Sequence, residues 1–318
     1  MWTVRKDINT KQNVRDAVVD TIQELMKTDE TIVALEADLG GASKFAAIGK
    51  SNPDRYINAG IAEANMVGMA AGLSMRGYTP FLHTFAPFAT RRVGDQVYLS
   101  GVYSKNRLNI YGSDPGVCVA ANGGTHTSFE DMAFMRALPN VWVLDPADHT
   151  QTVWCVKEMA KRGVGVNYLR GHRKDIYDLY EAGSTFEIGK GNIIKEGKDV
   201  LLVSCGQVLH NAYEAALELE KEGISVEVID MFCIKPFDAN LIAKEAVGKK
   251  AVVTFENHSV IGGLGSAVAE ALSDNGIGVK LRRVGVNDQT GQVGTLDYLM
   301  KEFGLTKENL IKNIKEVL

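Results

Sequence analysis

Long hydrophobic runs are missing from this chain. None approaches the roughly 20 apolar residues that cross a bilayer, so no segment reads as a membrane-spanning helix. The start, Met1-Trp2-Thr3-Val4-Arg5-Lys6-Asp7, has no apolar core of the kind a secretion signal needs. An excess of one charge is missing too. Lys plus Arg number 35 against 39 Asp plus Glu, and the pI is about 5.9, so there is no basic footprint for nucleic acid. Cysteine is scarce. The four present, Cys118, Cys155, Cys205 and Cys233, lack metal-type spacing and sit in apolar or strand-like surroundings. They read as buried free thiols, which fits a reducing cytoplasm, and no metal site is expected on this chain. Low-complexity tracts and short repeats are also lacking.

What remains is an ordinary globular chain, 45% hydrophobic and 23% charged, whose 318 residues suffice for two domains. Helix-like and strand-like segments alternate. Val14, Ala17, Val18, Ile22 and Leu25 mark a first helix, and Thr31 to Leu35 reads as a strand. Further strands are predicted at Pro80 to Thr84, Leu108 to Tyr111, Val141 to Leu144 and Val166 to Leu169, with a helix over Thr150 to Lys161. From Gly171 to Lys198 the pattern breaks into a polar, Gly-rich stretch, read as an interdomain linker plus a short covering strand. Strands resume at Val200 to Ser204, Val226 to Ile229, Ala251 to Phe255 and Val279 to Val284. Such alternation predicts an α/β fold of parallel sheets, with one domain over about residues 1–185 and a second over about 190–318.

Chemistry concentrates at Asn58-Ala59-Gly60-Ile61-Ala62-Glu63-Ala64-Asn65-Met66-Val67-Gly68. After Glu63, Met66, Val67, Ala70 and Leu73 recur at helical spacing, and Gly77 supplies a stop. Glu63 therefore falls in the first turn of a buried helix. The helix dipole favours a carboxylate there, whereas the apolar neighbours desolvate it. Taken alone, such a residue is more often a capping acid than a catalytic one.

This stretch is similar to one in transketolases and other thiamine-diphosphate enzymes. The resemblance continues through Thr84-Phe85-Ala86-Pro87-Phe88, Gly123-Gly124-Thr125-His126, Ile234-Lys235-Pro236-Phe237-Asp238 and Glu256-Asn257-His258-Ser259-Val260-Ile261-Gly262-Gly263-Leu264-Gly265. It ends with Val284-Gly285-Val286-Asn287-Asp288 and Phe303-Gly304-Leu305-Thr306. Each motif is weak alone, but their order and spacing make a strong match over nearly the whole chain. The implied fold is a doubly wound pyrimidine-binding domain followed by a transketolase-type C-terminal α/β domain.

The resemblance implies site residues. Glu63 would bond a ring nitrogen of the cofactor's aminopyrimidine and so activate it. Phe88 would stack on that ring with Phe85 beneath, and Asp38, in Ala37-Asp38-Leu39, would lie close to cofactor and partner domain. His126 would face substrate hydroxyls. Arg15 and Arg170 match phosphate-binding arginines, and Arg92, of the pair Arg91-Arg92, resembles an arginine of split and deoxyxylulose-type relatives. Two positions depart from the pattern. Asn122 replaces an Asp that senses donor stereochemistry, and Asp114 replaces a phosphate-binding His, where a carboxylate would repel phosphate. His258 and the Gly262–Gly265 turn read as structural.

The family's diphosphate grip, Gly-Asp-Gly with a downstream Asn, is absent; Val93-Gly94-Asp95-Gln96 has no second Gly. The implied reading is the C-terminal subunit of a split transketolase. An N-terminal partner subunit would hold the diphosphate and Mg²⁺ of thiamine diphosphate in an α2β2 assembly. The reaction would be two-carbon ketol transfer between small sugars or sugar phosphates. The alternatives are a 2-oxoacid dehydrogenase beta subunit and a non-catalytic regulatory homologue.

Overall fold

Alternating segments build two parallel sheets in a computed structural model that describes residues 1–318. The first sheet has seven strands, in the order Cys233–Lys235, Val141–Leu144, Gly165–Gly171, Arg107–Ser113, Thr79–Phe85, Ile32–Glu36 and Tyr56–Asn58. All run parallel except Cys233–Lys235, which is antiparallel at one edge. Central strands such as Ile32–Glu36 and Thr79–Phe85 are buried along their whole length, as a parallel sheet covered on both faces requires. The second sheet orders Lys280–Val286, Ala251–Ser259, Val200–Ser204, Val226–Asp230 and Asn192–Lys195, the last antiparallel. No helix is long and apolar enough to cross a membrane.

Local chemistry sets the helix ends that frame the site. The Asn13 side chain accepts from the Arg15 amide and starts the helix Val14–Met26. The helix Glu63–Met75 begins at Glu63 itself and stops before Gly77, whose φ is +88°.

Three short strands were not legible in the pattern: Lys11–Asn13, Tyr56–Asn58 and Cys233–Lys235. Each is three residues long, too short to show a period. The Gly171–Lys198 stretch contributes Asp175–Tyr177, paired antiparallel with Lys11–Asn13, and the edge strand Asn192–Lys195. Cys233–Lys235 carries chain from the second half into the first sheet, beside Val141–Leu144.

The two halves are also joined by a buried charge. Arg170, 1% exposed, donates from Nε to Asp131 at 2.7 Å, from Nη1 to Asp145 at 2.6 Å and from Nη2 to the Asn257 carbonyl at 2.9 Å. Burial works against the ionised form of Asp131, but the Arg170 charge and the Tyr168 hydroxyl hold it below its usual range. Glycines close the same seam. A Cβ on Gly116, at φ +59°, would sit 2.2 Å from the Asn257 amide oxygen, and one on Gly206, also at +59°, 2.5 Å from the Asp145 carboxyl.

Arg170 is thus a correction to the sequence reading, which placed it at a substrate phosphate. It lies inside the strand Gly165–Gly171 rather than past its end, so its side chain turns into the covered core. Arg170→Met should cost about 3–5 kcal/mol in urea unfolding, because two buried carboxylates lose their cationic partner. A loss below about 1 kcal/mol would show that this guanidinium is not the tie.

Candidate active site

The candidate site lies along the carboxyl ends of the first sheet's strands, where parallel sheets expose backbone and loops to ligands. Thr79–Phe85 delivers Phe85 and, one short turn later, Phe88. Tyr56–Asn58 leads through Gly60, at φ +71°, into Glu63. Arg107–Ser113 ends before Asp114, and Gly165–Gly171 ends before Arg173. Ile32–Glu36 ends before Asp38.

An aromatic cluster forms the centre. Phe85 and Phe88 have ring centroids 6.0 Å apart, and His126 packs edgewise on both, at 5.8 Å and 5.2 Å. Phe85 is buried and Phe88 half-buried. His126 is carried by the turn from Gly123 to Thr127, where its own amide donates to the Gly123 carbonyl at 3.0 Å. Arg91 braces that turn, donating to the Thr127 carbonyl at 3.1 Å and to Glu130 at 2.6 Å. Thr125 Oγ1 lies 2.8 Å from His126 Nδ1, and Nε2 has no protein partner.

Glu63 borders this cluster. It is 5% exposed and lines a pocket with Met66, Val67, Leu82, Thr84 and Phe88. Arg92 forms an ion pair with the Glu63 carboxylate while its guanidinium carbon sits 3.6 Å from the Phe88 centroid.

A second charged group flanks Phe85. Arg173 lies 5.1 Å from the Phe85 centroid and donates from Nε to Asp114 at 2.9 Å. Asp114 is 1% exposed, and its Oδ1 has no hydrogen-bond partner. Burial raises the Asp114 pKa, against the opposing charges of Arg173 and Arg15. The same field reaches His126. Partial burial and then the Arg92 and Arg173 charges push it below its ordinary value of 6.5, so the ring is neutral at pH 7.

The structure therefore brings together Glu63, Phe85, Phe88, Arg92 and His126, with Asp114 at the margin. The other residues singled out in the sequence stand apart from the cluster. Arg15 is held by the Ala42 carbonyl at 2.8 Å and the Asn13 side chain at 3.1 Å, and meets the site only through its charge on Asp114. Asp38, with φ of +57°, accepts from Asn58 at 3.2 Å and does not touch the aromatics. Asn122 is exposed at the end of the turn Gly116–Asn122 and makes no side-chain hydrogen bond. Arg170 is in the core. Arg173 was missed. Its signal was its place: it is the first arginine beyond the end of the Gly165–Gly171 strand. No three His, Cys, Asp or Glu side chains converge to hold a metal ion.

Comparison with known proteins matches residues 10–177 to the family model "Transketolase, pyrimidine binding domain" and residues 189–310 to "Transketolase, C-terminal domain". The chain is 43% identical to the 6-deoxy-6-sulfo-D-fructose transketolase subunit SqwH of Clostridium sp. (strain MSTE9), over 96% of this chain and 94% of that one. It is 33% identical to the transketolase of Mus musculus, over 97% of this chain but only 49% of the mouse protein. A solved structure described as "Split gene transketolase, inactive beta4 tetramer" superposes with a TM-score of 0.86 at 40% identity, covering 96% of this chain and 97% of that chain.

His126 should titrate below 6.5 when its imidazole is followed by NMR. Arg173→Gln should move the midpoint upward by removing a nearby positive charge. An unmoved midpoint would place Arg173 outside the site's field.

Proposed function

This chain belongs to the transketolase family, and from that premise we propose a division of labour for the site. Residues 1–185 hold the pyrimidine end of thiamine diphosphate, and residues 190–318 form the C-terminal domain behind it. A separate N-terminal subunit holds the diphosphate and Mg²⁺ in an α2β2 assembly. The chain is a split-transketolase subunit, a transferase that acts with its partner. Its four free, buried cysteines agree with a cytoplasmic setting.

One observation carries this reading: a buried carboxylate at a helix start beside an aromatic face with an exposed edge. That donor set suits a flat aminopyrimidine. It does not suit a metal-bound diphosphate, because no cluster of metal-ligating side chains is present. Bound thiamine diphosphate supplies the carbon nucleophile that carries the two-carbon unit. Glu63 would hold a proton at the ring nitrogen, in a pocket lined by Met66, Val67, Leu82 and Phe88. Phe88 offers its face to the ring, and Phe85 fixes the position of Phe88 and His126. Asp38 borders the site from the next strand, toward the partner.

His126 enters as a neutral imidazole. Its free Nε2 takes or gives a proton at a substrate hydroxyl. Asn122, exposed at the rim, hydrogen-bonds a sugar hydroxyl. Arg173, with Arg15 behind it, faces an anionic group at the far end of the sugar, while Asp114 holds the Arg173 fork in place. A net positive pocket of this kind takes a sugar bearing a phosphate or a sulfonate. The relative named for 6-deoxy-6-sulfo-D-fructose agrees with the second.

One assay on the reconstituted two-subunit enzyme tests both assignments. Glu63→Gln should lower kcat by about 10²–10⁴ with little change in substrate KM. Arg173→Gln should raise KM about 10- to 100-fold for sugars with a terminal anion, the worth of one charged hydrogen bond, and leave uncharged sugars alone. Parent kinetics for Glu63→Gln would take the acid out of the reaction. An equal effect on charged and uncharged sugars would take Arg173 out of anion binding.

A further inference from the structure

Two features of the candidate site are engaged by one side chain. The Arg92 guanidinium pairs with the Glu63 carboxylate and lies on the Phe88 ring, 3.6 Å from its centroid. No other donor reaches the Glu63 carboxylate. A flat ring that stacks on Phe88 and bonds Glu63 must occupy the same space. We propose that Arg92 is a displaceable plug, an internal occupant that fills the pyrimidine site until the cofactor arrives. This rests on the reading of Glu63 and Phe88 as the pyrimidine site.

The physics favours such a device. Glu63 is 5% exposed with Arg92 beside it, and in an empty pyrimidine site it would lose its one ion pair, which is costly for a poorly solvated carboxylate. Arg92 supplies the missing charge and covers the aromatic face with a planar cation. When the ring enters, one proton taken up from water lies between its nitrogen and Glu63 in place of the guanidinium, so neither state strands the carboxylate.

The backbone need not move. Thr90 anchors the segment by donating to the Ala86 carbonyl at 2.7 Å, and Val93 is buried. The Arg92 side chain is 43% exposed, so rotamer changes carry it into solvent. Because the resting pair competes with the ring, it weakens apparent cofactor affinity. It is also partly exposed, so salt should weaken it.

The test is thiamine diphosphate binding, with Mg²⁺, to the reconstituted two-subunit complex. Arg92→Gln removes the plug and leaves Glu63 and Phe88 intact. Its apparent Kd should fall about tenfold, equivalent to about 1.4 kcal/mol, with faster association. Arg92→Lys keeps the charge but loses the planar cover, and should fall between parent and Arg92→Gln. The ratio of the parent Kd to the Arg92→Gln Kd should shrink toward one as ionic strength rises. Equal or weaker binding by Arg92→Gln at every ionic strength would overturn the plug. Turnover of Glu63→Gln separates this failure from failure of the underlying reading. If Glu63→Gln turns over at the parent rate, the pyrimidine reading fails. If it loses turnover and Arg92→Gln binds no tighter, only the plug fails.

Discussion

One buried guanidinium sets the frame on which the site is built. Arg170 has carboxylates from Asp131 and Asp145 on one side of the molecule's seam and the Asn257 carbonyl on the other. A charge that deep persists only while its partners are in bonding geometry. It therefore fixes the strand Gly165–Gly171 against the helix Asp131–Ala137 and against the second sheet. The segment from Asp114 to Glu130 spans this frame. Gly116 at its start lies against Asn257, and the turn carrying His126 sits near its end. The placement of His126 over Phe85 and Phe88 thus depends on contacts that never meet a ligand.

The same distinction separates the charged groups. Arg170 lies within the strand and is consumed by the fold. Arg173, past the strand end, keeps part of its guanidinium at the surface, with only Asp114 as its charged partner. Glu63 is buried like a structural acid, yet its one partner comes from a side chain that is nearly half exposed. A buried acid with a removable partner is the feature that distinguishes a site from a core ion pair. Asp114 shows the intermediate case. It is buried, paired through one oxygen, and unpartnered at the other.

Much of this was legible in the sequence. The long strands and helices followed from apolar runs and helical spacing, because burial on both faces leaves a strong signal in composition. The grouping of Glu63, Phe85, Phe88 and His126 was also anticipated, since each belongs to a local motif at a strand end or a helix start. Motif resemblance could not tell Arg170 from Arg173. Both lie near one strand terminus, and a displacement of three residues decides whether an arginine faces core or ligand. Nor could it show Cys233–Lys235 crossing to the first sheet, which depends on pairing at long range. The contact of Arg92 with Glu63 and Phe88 was hidden for a similar reason: it joins a helix start to a turn 29 residues later.

The most direct measurement is a crystal structure of this chain with its partner subunit, thiamine diphosphate and Mg²⁺. The account predicts the pyrimidine ring against the Phe88 face, a Glu63 oxygen within hydrogen-bond distance of a ring nitrogen, and Mg²⁺ held only by the partner. A cofactor bound elsewhere, with Phe88 and Glu63 free of it, would contradict the account.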